Sequence, residues 1–242
     1  NDNYNVFAET ARPLFLKYVK RSELDEDEIR YLQMLEQWNL QNNIGEKGPT
    51  VFNLLVDSLR KYVFSDDLVR NGLPVEWPKR YTLIECLLKD SLFSFIDNIN
   101  TPSVETIEDA FTGAMKLASA DIKKLEISGK LEWGRYKNTT LYHILKTSMM
   151  PFARESLPIG GGVNIINATT HDHGPSWRMI VHLTTPTEAY AVYPGGQSGN
   201  PGSRFYDSFV DTWAAGKYYR LWIMQKNEKG DKRIKWKLTF SA

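Results

Sequence analysis

Ser198 sits among glycines, in Gly195-Gly196-Gln197-Ser198-Gly199, after a strand-like run. A serine so placed attacks carbonyls when a neighbouring base takes its proton. The nucleophile elbow needs Gly-x-Ser-x-Gly, because its strand and helix pack too closely for larger neighbours. Here Asn200 stands two after the serine, and Pro201-Gly202 delay any helix, so the pattern fails. The expected structure is a tight turn shaped by glycine, with Gln197, Ser198 and Asn200 bonded to the backbone. A self-sufficient hydrolase using Ser198 would still need a histidine near it in space, with His173 as the candidate.

The same glycines do not make a phosphate cradle. That motif ends in Gly-Lys followed by Ser or Thr, and no lysine occurs between Lys146 and Lys217. Gly160-Gly161-Gly162 likewise lacks the spacing of a dinucleotide fingerprint. His171-Asp172-His173 has the residue types of a zinc site. Neighbours in an extended segment point to opposite faces, however, and His143 and His182 are too distant in sequence to be assigned as further ligands. Neither a metal nor a cofactor is expected. Cys86, the only cysteine, lies in the apolar run Thr82 to Leu88 and is expected to be a small buried hydrophobe. Asn138-Thr139-Thr140 and Asn167-Ala168-Thr169 match glycosylation sequons, a pattern common by chance.

The elements that would carry these residues change period along the chain. Residues 1–125 read as a helical region. Phe7, Ala11, Leu14, Phe15 and Tyr18 recur at helical spacing, with Pro13 tolerable only near a first turn or at a kink. Asp25 and Glu28 imitate a capping box ahead of the stripe Ile29, Leu32, Leu35 and Trp38. A third helix follows Gly48-Pro49-Thr50, with Phe52, Leu55, Leu59 and Tyr62 facing inward. A fourth follows Pro102-Ser103, with Ile107, Ala110, Phe111, Ala114, Leu117 and Ala118. Asn71-Gly72-Leu73-Pro74 reads as a loop.

Residues 126–242 read as a β-rich region with a short helix. Val163 to Ile166 and Met179 to Leu183 are strand candidates. Tyr219 to Met224 should form a hairpin with the alternating segment Ile234 to Phe240 across Asn227 to Asp231. A short helix is expected from Phe205 to Trp213, entered through Ser203. Helices first and antiparallel strands later give an α+β fold.

The 242 residues are 42% hydrophobic and 24% charged, enough to bury a sizeable core and too apolar for disorder. A net charge of +1 gives no electrostatic case for nucleic acid. No apolar run reaches the roughly 18 residues of a membrane span. Signal peptide and initiator Met are absent, so Asn1 is not expected to be the natural start.

His173-Gly174-Pro175-Ser176-Trp177-Arg178, a strand, and then Pro194-Gly195-Gly196-Gln197-Ser198-Gly199-Asn200-Pro201 resemble the C-terminal signature of the penicillin amidase family. Looser likenesses run through Asp2, Phe7-Ala8-Glu9, Leu35 to Asn39, Trp133-Gly134 and His143 to Leu145. Phe205 and Ser208-Phe209 depart from the family pattern around Tyr206. The resemblance implies an N-terminal-nucleophile hydrolase, matured by self-cleavage, that cuts the amide of an N-acyl substrate of penicillin or acyl-homoserine lactone type. It implies an α/β/β/α sandwich, to which the strands here would belong. The catalytic serine and the oxyanion asparagine would lie upstream of Asn1, in the remainder of the parent hydrolase. The chain alone would then be inactive, and His173, Gly174, Ser176, Arg178 and Gly195 to Asn200 would be structural. A periplasmic or secreted bacterial location is also implied. The competing reading is a non-catalytic interaction or scaffold domain.

Overall fold

Asn5 opens the first helix, α1 (Val6–Tyr18), by accepting the backbone N–H of Ala8 on Oδ1 at 2.9 Å, which satisfies one of the free donors of the first turn. A computed structural model describes residues 2–69, 76–143 and 152–222, with 230, 232, 234 and 235. The loop at 71–74 and most of the C-terminal hairpin expected from the sequence lie outside the described residues. Pro13 stands inside α1, not at its first turn. Burial of Ala11, Leu14 and Phe15 on one face holds the helix together despite the missing N–H.

Helix α2 (Glu26–Gln37) begins with the anticipated capping box: Asp25 accepts from the N–H of Glu28, and Glu28 accepts from that of Asp25. Its buried face is Tyr31, Leu32 and Leu35, while Ile29 is only half-buried. Helices α3 (Gly48–Val69) and α5 (Ile107–Ile127) pack against each other, and Phe15 meets Phe111 edge to face at 4.8 Å. Leu117 is 44% exposed, contrary to expectation, because the buried stripe of α5 turns through Met115 and Ile122 instead.

Two helices and a strand pair were not anticipated. Helix α4 (Arg80–Lys89) carries Cys86, whose side chain is half-buried and not enclosed as expected; Leu83, Ile84 and Leu87 supply the apolar face. Helix α6 (Trp133–Lys137) is five residues long and ends at Asn138 with φ of 47°. Beyond it β1 (Thr139–Leu141) pairs antiparallel with β2 (Arg154–Leu157). The strand expected at Val163 to Ile166 is a turn. Asn164 has φ of 61°, which breaks extension; Ile165 plugs the core while Val163 and Ile166 face solvent.

The chain forms two compact units, Asn1–Gly174 and Pro175–Ala242. The second holds an antiparallel sheet in the order β3 (Arg178–His182), β4 (Glu188–Val192), β5 (Tyr219–Leu221), with Arg178 opposite Val192 and Ala191 opposite Tyr219. Its helix, α7 (Val210–Ala214), is shorter than expected. Residues 201–209 are turns: Ser203 accepts the N–H of Phe205 on Oγ and donates its own N–H to the carbonyl of Asn200, which closes a turn and starts no helix. Helices followed by antiparallel strands make the fold α+β, as the sequence indicated. Among the described residues no helix is long and apolar enough to cross a membrane.

Candidate functional site

In the first unit, asparagines tie residues 2–5 to residues 42–43 and 160–167. Asn42 donates its N–H to the carbonyl of Asn3 and accepts that of Gly161 on its own carbonyl, both at 2.9 Å. Asn167 donates its N–H to the carbonyl of Asp2 at 3.0 Å and its Nδ2 to Asn3 Oδ1 at 2.9 Å. Asn3 Nδ2 reaches Asn43 Oδ1 at 2.9 Å, and Asn5 Nδ2 reaches Asn42 Oδ1 at 3.3 Å. Gly161 makes the knot possible: its φ is 85°, and a Cβ there would stand 2.0 Å from the carbonyl oxygen of Asn167. Asn167 is 4% exposed and its amide is engaged, so its sequon is closed to a glycan in the folded protein.

Helix α6 seals the same region. Trp133 donates through Nε1 to the carbonyl of Gly161 at 2.7 Å. Lys137, 7% exposed, donates through Nζ to the carbonyl of Gly160 at 2.7 Å and to Thr169 Oγ1 at 2.6 Å. A buried ammonium is tolerated only with such close acceptors. Beside this knot opens a cavity of about 510 Å³, lined by the aromatic rings of Phe7, Phe52, Trp133 and Tyr136 and also by Asn42 and Gly162. Burial pushes the Tyr136 phenol above its ordinary range, with Asp57 adding in the same direction.

His171 lines the cavity: its Nδ1 donates to the carbonyl of Asn138 at 2.7 Å, and its Nε2 lies in hydrogen-bond contact with Tyr142 Oη at 3.1 Å. His173 is exposed and holds Asp172 Oδ1 through Nδ1 at 2.5 Å. Among the described residues no three His, Cys, Asp or Glu side chains converge on a metal position.

The signature residues of the second unit are engaged with their own backbone. Arg178, 8% exposed, donates through Nη1 to the carbonyl of Trp213 at 2.7 Å, and burial pushes its guanidinium below its ordinary range. Gly196 lies against the 205–206 backbone: a Cβ there would stand 1.9 Å from the carbonyl oxygen of Phe205. Phe209 donates its N–H to the carbonyl of Gly195 at 2.9 Å, and Ser198 donates its own to that of Phe205 at 3.2 Å. Ser198 Oγ accepts from the N–H of Asn200 at 3.1 Å, and Asn200 Oδ1 accepts from that of Gly202 at 2.9 Å. Gln197 is exposed and borders a small cleft with Trp177, Tyr193, Phe209 and Tyr219. Gly199 has open space around its Cα and Ser176 is exposed. Gly174 closes the first unit.

Sequence reasoning singled out the signature and missed the amide knot. Its only trace in the sequence is the density of asparagine at Asn3, Asn5, Asn39, Asn42 and Asn43, with three glycines at 160–162.

Comparison with known proteins gives a consistent kinship. The family model for penicillin amidase matches residues 1–230. The acyl-homoserine lactone acylase QuiP of Pseudomonas syringae pv. syringae is 27% identical over 151 residues, covering 55% of this chain and 18% of that protein. QuiP of Pseudomonas syringae pv. tomato is 32% identical over 88 residues, covering 33% of this chain and 11% of the relative. A thermostable penicillin G acylase from Alcaligenes faecalis shares the fold at a TM-score of 0.60 and 13% identity, over 100% of this chain and 48% of that one. The chain thus spans under a fifth of these QuiP relatives and under half of the acylase chain.

Proposed function

This chain belongs to the penicillin amidase family, and on that premise we propose that it is the C-terminal part of a hydrolase that cleaves the amide bond of an N-acyl substrate. Residues 1–125 would supply a helical layer and 126–242 late strands and a helix of an α/β/β/α core. The nucleophile would be a serine freed by self-cleavage upstream of this chain, with its own α-amino group as base. A hydroxyl needs such a base, and the oxyanion of the tetrahedral intermediate needs prearranged donors. Penicillins and acyl-homoserine lactones are the substrate classes to test, the relatives being acyl-homoserine lactone acylases and a penicillin G acylase. A periplasmic or secreted location belongs to the same proposal, and cell fractionation tests it.

The observation that carries this reading is the family match along residues 1–230. The signature residues, Ser198 included, are taken as architecture, because Ser198 Oγ is held as an acceptor within its own turn. The test is hydrolysis of acyl-homoserine lactones and penicillin G by the full-length gene product. Replacing the upstream serine by alanine should abolish turnover, whereas Ser198→Ala should leave it within about twofold. Amide hydrolysis by the 242-residue chain that disappears in Ser198→Ala would overturn the proposal.

A further inference from the structure

The cavity beside α6 contains a donor that the fold leaves unused. Asn42 is 1% exposed, and its Oδ1 is occupied by Asn5 Nδ2. Among the described residues, no acceptor is bonded to its Nδ2. Gly162, which also lines the cavity, keeps that donor open: a Cβ there would stand 3.1 Å from Nδ2 and 3.3 Å from Trp133 Cζ2. Buried amide donors normally find partners, and one left facing a cavity points to a ligand acceptor.

The rest of the wall defines what that acceptor belongs to. Phe7 and Phe52 meet edge to face at 5.7 Å, and Trp133 and Tyr136 lie at 5.8 Å, giving two aromatic surfaces. The cations are already engaged. Arg80 donates to Asp57 through Nε at 2.8 Å and through Nη2, and to Asn53 Oδ1 through Nη1 at 2.6 Å. Lys137 Nζ is held by Gly160 and Thr169, and both nitrogens of His171 are bonded. An ammonium would meet Arg80 and Lys137 with no carboxylate among the described lining residues, and a carboxylate would meet cations already bonded to other acceptors. A volume of about 510 Å³ lies within the roughly 300–1,000 Å³ typical of small-molecule sites.

We propose that this cavity binds an uncharged carboxamide, its apolar end against Phe7, Phe52 and Trp133 and its carbonyl accepting from Asn42 Nδ2. The inference goes beyond the family reading: it concerns binding by this chain and requires no nucleophile. Its failure and that of the hydrolase reading are therefore separable.

Calorimetric titration of the 242-residue chain with N-benzylacetamide tests it, with benzylamine and benzoate as charged counterparts of similar size. The amide should bind one saturable site, and both charged probes should bind at least about tenfold more weakly. Gly162→Ala, which covers the donor with one methyl group, should weaken amide binding at least about tenfold while the melting transition stays intact. Asn42→Asp keeps the acceptor for Asn5 and removes the donor, so it serves where Gly162→Ala does not fold, with the same loss expected. No saturable amide binding by the folded chain would overturn the proposal. So would equal affinity for benzoate or benzylamine, or full affinity in a folded Gly162→Ala or Asn42→Asp variant.

Discussion

The guanidinium of Arg178 stands over the indole of Trp213, 4.9 Å from Cζ to the ring centroid, while its Nη1 holds the carbonyl of the same tryptophan at 2.7 Å. Trp213 in turn donates through Nε1 to the carbonyl of Pro175 at 3.0 Å. One arginine thus fixes the start of β3 against α7 by both a charge-assisted bond and a stacked plane.

Arg178→Met should therefore destabilise the second unit by about 2–3 kcal/mol, because the carbonyl of Trp213 loses a buried charged donor. Arg178→Lys should recover little, since an ammonium supplies no plane. Urea denaturation followed by tryptophan fluorescence measures both.

The glycines of the signature should differ sharply from one another. Gly196→Ala forces a methyl into the Phe205 carbonyl and should cost upwards of about 2 kcal/mol. Gly199→Ala meets nothing within 4 Å and should stay within about 0.5 kcal/mol of the parent. Equal melting temperatures for the two variants would contradict the packing described.

Acid should weaken the helical unit through Asp109. Lys20 Nζ at 2.6 Å and the Thr106 hydroxyl and N–H hold its carboxyl down to about 2, against 3.8 in the unfolded chain. The folded state binds that proton less readily, so the stabilisation is complete above pH 3.8 and disappears as pH falls through about 2. Asp109→Asn should flatten the loss of stability across that window, measured as urea midpoints at stepped pH. Lys20 works in the opposite direction: raised by the same bond, it stabilises below its ordinary 10.5 and ceases to do so as pH rises past its folded value.

Removing either side of the Asn3–Asn167 side-chain hydrogen bond should cost about 1–2 kcal/mol, with the double variant less than additive. A double-mutant cycle of Asn3→Ala and Asn167→Ala in thermal unfolding reads the coupling.

What was legible in the sequence was local. The capping box at Asp25 and Glu28, the stripe Phe52, Leu55 and Leu59, and the strand at Met179 depend on neighbours within one or two turns, and they stand where periodicity put them. The misplaced strand at Val163 to Ile166 shows the opposite case. Its β-branched residues favour extension, but the Asn42 and Asn167 contacts of Gly160 to Gly162 impose a turn from across the fold. The Ser203 helix start failed for a similar reason, since Asn200 and Phe205 use its bonds to close a turn. The donor of Asn42 is a property of the residues around it, and no short window of sequence contains them.

The amide knot also bears on the order in which the chain folds. Asn3 and Asn167 are 164 positions apart, so their bond closes a long loop whose entropic cost is met only after the intervening helices have formed. The knot is then a late latch on an assembled helical body. Variants at Asn3 or Asn167 should leave the refolding rate nearly unchanged and accelerate unfolding, giving φ-values near zero.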